Sequence, residues 1–334
     1  MSAKRRVFLS ATGAAVALAA TAAVAVAVAG PVANPEGPSA SARPGKPAAA
    51  SELRVMTLNL WHGGAKVDDG LAKQLAVIEK HRPDVVGLQE TSGHSARELA
   101  EELGWDHWQS DADLGIISRF PFTSEVETSR AAAGVRIRID ETTGQEVELW
   151  TAHLGYDPYG PYDACFDGMA VEDIFQREAQ SGRTPQAEAI AKDLAPKIAA
   201  ADETPVLLVG DFNTPSHLDW TEATKDSHCG YGQVDWPVTK IFEKAGLKDS
   251  FREANPDPAA VPGNTWSPVY PKHEGSTGVD EPQDRIDFID YAGDKLTVKD
   301  SVSFVEGDPK PVPDQAGNVW PTDHAAVLTT FTVG

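Results

Sequence analysis

VLLVGDFN, residues 206–213, decides the reading of this chain: four apolar residues suited to a buried strand run directly into a glycine, a carboxylate, an aromatic ring and an amide. A carboxylate beside buried backbone is costly unless it is paired, hydrated or bound to a metal, so Asp211 and Asn213 need a use. Working outward, the same ending recurs. RVMTLN stops at Asn59, DVVGLQE at Glu90 and ELWTAH at His153. RIDFID carries Asp287, and Asp323-His324 stands immediately before the apolar run AAVLTTF. One such residue alone reads as a turn former or a partly buried imidazole. Six strand borders of this kind in one chain imply that the polar ends gather at one edge and share a cleft.

Short β-type runs over 55–60, 84–88, 114–118, 135–139, 147–152, 206–209, 286–291 and 325–332 alternate with helical periodicity over 68–80, 94–103, 184–200 and 238–245. Thr184 and Pro185 supply a helix start. This mix predicts an α/β sandwich in which helices cover two packed sheets. After Ser51 there is no repeat, composition shift or long linker, so residues 51–334 read as one domain.

The segment before it reads as an export signal over 1–29 and a Pro/Ala-rich leader over 30–50. Lys4, Arg5 and Arg6 precede a nearly unbroken apolar run, Val7 to Ala29, closed by the small-residue pattern Ala27-Val28-Ala29. RRVFLS resembles a bacterial twin-arginine signal, with a general secretory signal or an uncleaved membrane anchor as the alternatives. A secreted, extracellular protein is expected. Export would let Cys165 and Cys229 pair across two loops; two free thiols are the alternative.

Charge narrows the function. The 334 residues contain 29 Lys plus Arg against 50 Asp plus Glu, and residues 51–334 alone carry 24 against 49. A surface this acidic does not bind nucleic acid or anionic lipid by wrapping it electrostatically, so any phosphate chemistry must recruit a cation. Two cysteines exclude a thiolate zinc cluster or an iron–sulfur framework.

TLN (57–59), DVVGLQE (84–90), LGIISRFP (114–121), TAHL (151–154), GDFN (210–213), RIDFI (285–289) and TDHAAV (322–327) together resemble the endonuclease/exonuclease/phosphatase family, the deoxyribonuclease I-like metal-dependent phosphoesterases. The resemblance covers Arg54 to Phe331. It implies a four-layer α/β sandwich with two mostly antiparallel sheets and the active site at one edge. It also implies that Glu90 binds a divalent cation, normally Mg²⁺ with Mn²⁺ or Ca²⁺ as alternatives, with Asn59 and Asp323 completing the metal and phosphate environment. Asp211 and Asn213 would position the attacking water and a phosphoryl oxygen. His324 would be the general base or phosphate-polarising imidazole, oriented by Asp287, and His153 the second active-site histidine. Arg119 reads as the partner of a carboxylate rather than a phosphate contact.

Two stretches depart from the family pattern. GYDPYGPYDACFDGM (155–169) reads as a long loop whose Tyr156, Tyr159 and Tyr162 either wall the substrate or pack the loop on its own domain; TPSHLDWTEATKDSHCGYGQVDW (214–236) reads as a second loop, with His217 as the candidate for an extra substrate contact and a turn or cap role as the reading that its position favours. A disulfide would make both loops frame one pocket. Neither stretch interleaves basic and aromatic residues as a nucleic-acid surface does, and neither holds a long apolar hairpin for membrane insertion. The expectation is a monomeric Mg²⁺-dependent phosphoesterase acting on a small or soluble phosphate ester, with no stable membrane partner after signal cleavage. An extracellular nuclease, a sphingomyelinase-type phospholipase and a catalytically silent binding module are the alternatives.

Overall fold

Alternating apolar residues sort the strands onto two sheets in the computed structural model, which describes residues 51–334. The expected export signal and leader lie outside the described residues. The first half of the chain gives β1 (Glu52–Asn59), α1 (Gly70–His81), β2 (Val85–Gln89), α2 (Ser95–Leu103), β3 (Asp106–Gln109) and β4 (Gly115–Ser118). Then come β5 (Glu127–Ser129), β6 (Ala132–Arg138), β7 (Glu146–His153), α3 (Gly160–Cys165), α4 (Val171–Gln180), α5 (Arg183–Ile198) and β8 (Val206–Asp211). The chain closes with α6 (Pro237–Ala245), β9 (Lys248–Asp249), α7 (Ser250–Ala254), β10 (Asp287–Ala292), β11 (Leu296–Phe304) and β12 (Ala326–Val333). One six-stranded sheet has the order β11-β12-β1-β2-β4-β3 and the other β5-β6-β7-β8-β10-β9. Only β1–β2 and β7–β8 run parallel; the other pairs are antiparallel.

Successive strand residues point to opposite faces, and here both faces are covered. Val55, Leu207, Val209 and Ile289 pack between the sheets, whereas Met56, Leu58 and Val86 meet Ile78 and Leu99 of α1 and α2. On the far side Leu208 and Phe288 meet Ile190 and Leu194 of α5 and Phe242 of α6. That makes four layers, the expected sandwich. Each fully buried side chain of this size contributes about 1.5–3 kcal/mol. Two glycines are forced by close approach: a Cβ on Gly87 would meet Val209 Cγ2 at 2.3 Å across the sheets, and one on Gly210, at φ 144°, would meet Ala152 O at 2.0 Å.

Register positions the functional residues. His153 pairs with Asp211 across β7–β8, Asp287 pairs with Asp211 across β10–β8, and Asn59 pairs with Gln89 across β1–β2. Three side chains therefore stand abreast at the end of one sheet, and Asn59 and Glu90 stand at the end of the other.

The first departing stretch corrects the loop expectation, while the second, 214–236, is a loop with one short 3₁₀ turn at Lys225–Ser227. Residues 155–169 contain α3, and α4 follows directly. Cys165 closes α3 and is bonded to Cys229, with Cα atoms 5.3 Å apart. Beside the disulfide, Ala164, Ile174, Trp220, Val234 and Trp236 form their own small core.

Candidate active site

The strand ends converge on a cleft of about 400 Å³. At its floor Asp211, buried, accepts from Asn213 N through Oδ1 (2.9 Å) and from Asn59 Nδ2 through Oδ2 (3.1 Å). The same Oδ2 faces two imidazoles, His153 Nε2 at 3.6 Å and His324 Nε2 at 3.7 Å. Each ring is held from behind by a carboxylate. His153 Nδ1 donates to Asp113, 3.0 Å from Oδ1 and 3.1 Å from Oδ2, and His324 Nδ1 donates to Asp287 Oδ2 at 2.9 Å. Two Asp–His pairs thus approach one aspartate from two sides.

These carboxylates set the charge of the rings. Burial alone would lower His153, but the Asp113 hydrogen bond and the charges of Asp211, Asp113 and Glu90 outweigh it and raise the imidazole to about 9. Burial likewise opposes protonation of His324, and Asp287, Asp211 and Asp323 together hold it well above its ordinary value. Asp113 runs the other way: burial would raise it, yet the His153 hydrogen bond and charge win and lower it. Asp211 is pushed up to about 6, chiefly by burial, with His324 and His153 opposing and Asp287 adding.

Glu90 follows β2 in the left-handed region, at φ 54°, which turns its carboxylate into the cleft. Its Oε1 accepts from Asn59 Nδ2 (3.2 Å) and its Oε2 from His62 N (2.9 Å). Asp323 is buried and pushed up to about 7, first by burial and then by the charges of Glu90 and Asp211, against the pull of His324. Four carboxylates, Glu90, Asp113, Asp211 and Asp323, line the cleft, with no Lys or Arg among the lining residues. A phosphate would meet no protein cation there except the imidazoles. An all-oxygen donor set of this kind fits a hard divalent cation. Asp211, Asp287 and His324 also present three donor atoms within 4.8 Å of one another; a cation there competes with the Asp287–His324 hydrogen bond.

Asn59 is corrected in one respect. Its amide N–H groups face Glu90 and Asp211 while its carbonyl accepts from Trp61 N at 2.9 Å, so it spaces two carboxylates rather than offering oxygen to a metal. Asn213, at φ 53°, gives one amide hydrogen to Leu154 O (3.0 Å) and lines the cleft.

The tyrosines divide. Tyr156 is 74% exposed and stands at the mouth of the cleft. Tyr159 is buried with its hydroxyl on Asp284 Oδ2 (3.1 Å), and the Tyr162 hydroxyl is on Glu281 Oε1 (2.5 Å). His217 does not reach the cleft. Its Nδ1 bonds Thr239 Oγ1 of α6 (2.8 Å) and its Nε2 lies 3.5 Å from Glu243, so it braces the insertion against that helix. Nor do both stretches frame one pocket: the second buttresses the first from behind, Trp220 Nε1 donating to the other oxygen of Asp284 at 2.7 Å. Arg119 pairs with Asp84 at 2.6 Å.

Sequence reasoning missed Asp113, His62 and Trp266. Asp113 ends the polar run SDAD immediately before a strand, the one signal it shares with the residues that were found. Trp266 lies edge-on to His324, with ring centroids 5.1 Å apart.

Comparison with known proteins agrees with this architecture. Residues 56–324 match the Endonuclease/Exonuclease/phosphatase family. An uncharacterized protein of Caenorhabditis elegans is 36% identical over 290 residues, covering 84% of this chain and 91% of that protein. The human nocturnin catalytic domain with bound sulfate superposes with a TM-score of 0.55 at 16% identity, over 85% of this chain and 95% of that one. D. rerio TDP2 complexed with a single-strand DNA product does so with a TM-score of 0.54 at 18% identity, over 84% and 99%. At these identities the two structures speak to the fold alone.

Proposed function

The chain belongs to the endonuclease/exonuclease/phosphatase family, and on that premise we propose that it is an exported, Mg²⁺-dependent phosphoesterase. It hydrolyses a small, soluble phosphodiester or phosphomonoester by direct attack of water. The observation that carries this reading is the pair of imidazoles, each backed by a carboxylate and both facing Asp211, in a cleft with four carboxylates and no Lys or Arg. Glu90 and Asp323 would hold the cation; when bound, it offsets the charge of the phosphate and stabilises the charge that develops as the ester breaks.

The remaining work falls to the chain's own side chains. Asn59 keeps Glu90 and Asp211 apart through its two N–H contacts. Asp211 Oδ2 accepts the proton of the attacking water. As the new P–O bond forms and the ester P–O bond breaks, an imidazolium gives its Nε2 proton to the leaving oxygen. An imidazole with a carboxylate facing each nitrogen favours two protons, so of the two roles its motif implies, general base or phosphate-polarising imidazole, His324 takes the second and donates. Asp113 and Asp287 keep the two rings aimed.

Export is supported by the basic, apolar and small-residue pattern of residues 1–29, and the Cys165–Cys229 bond suits an oxidising compartment. Residues 1–29 are the export signal, 30–50 the leader and 51–334 the catalytic domain of a bacterial, monomeric enzyme. TDP2 is described with a DNA strand, but this cleft offers a strand no Lys or Arg track. The test is turnover of a panel of phosphodiesters, phosphomonoesters, nucleic acids and phospholipids with Mg²⁺ or with chelator. Chelation abolishes hydrolysis, and Glu90→Gln raises the Mg²⁺ concentration for half-maximal rate by about tenfold or more while the fold is kept. Full activity in excess chelator overturns the reading.

A further inference from the structure

Next to the catalytic cleft lies a second cavity of about 220 Å³, walled by Tyr156, Tyr159, Tyr162 and Trp266 and floored by Asn213 and Ile286. Tyr156, Asn213 and Trp266 line both cavities, so a molecule whose phosphate sits at Asp211 extends naturally into the second. Three of the four walls have their polar tips spent, and the fourth, Tyr156, is an exposed ring at the mouth. Tyr159 gives its hydroxyl hydrogen to Asp284, and both the Tyr162 hydroxyl and Trp266 Nε1 donate to Glu281 Oε1, at 2.5 and 2.7 Å. Asn213 donates to Leu154 O. What the cavity presents is therefore chiefly the rings themselves.

Three classes of ester arm compete for such a space. A nucleobase or sugar would bury a polar edge against Tyr159, Tyr162 and Trp266, whose donors are taken, at a desolvation cost. A plain hydrocarbon fits the rings but makes no use of the charge behind them. Glu281 is buried, carries the donors of two walls on one oxygen and accepts from His273 Nδ1 (3.0 Å) on the other. A carboxylate bonded to the edges of two aromatic rings strengthens the negative potential on their faces. Asp157, exposed, adds an acidic group at the rim, and neither Lys nor Arg lines the cavity. A methylated ammonium needs no hydrogen-bond partner, has an apolar surface, and is attracted by aromatic faces.

We propose that this cavity binds a quaternary ammonium, and that the substrate is a phosphate ester carrying a choline-like trimethylammonium arm. The proposal rests on the phosphoesterase reading for its catalytic half and on the cavity alone for its binding half, and the two are tested separately. Choline and its uncharged tert-butyl isostere are titrated calorimetrically into the full chain in chelator. Choline binds about tenfold or more tightly than the isostere. Tyr156→Ala, at an exposed ring that the fold does not need, weakens choline binding. Glu281→Gln, which keeps an acceptor for the two walls but removes the charge, brings the choline-to-isostere ratio toward one while isostere binding is kept. A merely structural role for Glu281 would lower both affinities and leave their ratio unchanged. In parallel, Mg²⁺-dependent hydrolysis is compared for glycerophosphocholine, for sphingomyelin vesicles and for an aryl phosphodiester. Faster turnover of either choline ester than of the aryl ester supports the proposal, the soluble ester and the vesicles distinguishing a free from a lipid source. Equal binding of choline and isostere, or no choline binding, overturns it even where the aryl ester is cleaved. Choline binding without hydrolysis of any ester supports the cavity and overturns the phosphoesterase reading.

Discussion

Two regions meet at the cleft and are built on different principles. The floor, made of His153, Asp211 and Asp287 with Asn59 and Glu90 opposite, is assembled by strand register; the first four are delivered by ladders whose flanking positions are buried apolar side chains, and Glu90 follows directly on the end of β2. The wall, residues 155–182 and 214–236, has no strand. It stands on a small aromatic core, a disulfide and buried charge pairs. The regions are joined by Arg285 of the RIDFI motif: it donates to Asp219 in the wall through Nε (3.0 Å) and to Asp249 through Nη2 (2.7 Å), immediately ahead of the strand that carries Asp287. A floor set by register needs little from the wall to hold its geometry. The wall is then free to decide what enters, and damage to one region should be separable from damage to the other.

The largest effect is expected in the floor. His324→Ala and Asp287→Asn should each lower kcat by about 10²–10⁴ with little change in the melting temperature. Because Asp287 acts through His324, the double variant should lose far less than the product of the two; a double-mutant cycle measures this coupling. Multiplicative losses would mean that the ring and its carboxylate work apart. His153→Ala and Asp113→Asn form the matching cycle on the other side of Asp211.

Asp219 tests the joint. It accepts from Arg285 and from Arg252 Nε at 2.5 Å, all three side chains being buried. Asp219→Asn leaves two guanidinium groups without their shared anion and should cost about 3–5 kcal/mol of stability by denaturant unfolding. Folded molecules should keep their kcat. A fall in kcat without a fall in stability would show that the wall reaches into the chemistry.

The disulfide acts on the wall alone. It closes a separation of 64 residues, for which the chain-entropy account gives about 4 kcal/mol and measured cases more often 2–4. Replacing Cys165 and Cys229 together by Ser should lower stability by an amount in that range and raise KM more than it lowers kcat. Calorimetry and steady-state kinetics on the same preparation separate the two readouts.

How much of this was legible depends on which region carried the residue. Asn59, Glu90, His153, Asp211, Asn213, Asp287, Asp323 and His324 could be picked out because each borders an apolar run, and the structure brings all eight to one cleft or its immediate support. Asp113 was hidden among the acidic and small residues of SDAD, where nothing but its position before a strand marks it. The strands β3, β5, β9 and β11 escaped because they are edges with polar, largely exposed sequences such as DHWQ, ETS, KD and LTVKDSVSF, the first three also being short. α3 escaped for another reason: Gly160 and Pro161 read as loop punctuation, yet proline is well suited to a helix's first turn. Of the two readings of His217, a substrate contact and a structural role in its loop, the structure keeps the second: its nitrogens are directed to Thr239 and Glu243.

The smallest effects sharpen the comparison inside the wall itself, between Tyr156 and Tyr159. Tyr156 is exposed at the mouth of the cleft, whereas Tyr159 is 7% exposed and gives its hydroxyl hydrogen to buried Asp284. Tyr159→Phe keeps the ring face and removes one of the hydrogen bonds on Asp284, which burial pushes up to about 7. That change should cost about 1–3 kcal/mol of stability and leave KM almost untouched. Tyr156→Ala removes a ring that supports no part of the fold, so stability should stay within about 0.5 kcal/mol. Its loss should instead shift KM several-fold, the scale of about 1 kcal/mol for one aromatic contact, and by different factors for different esters. If Tyr159→Phe changes the order of substrates, or Tyr156→Ala shifts KM equally for every ester, the wall does not divide into a supporting layer and a selecting one. Selectivity would then have to come from the floor, whose residues are dictated by register and have little freedom to vary with substrate.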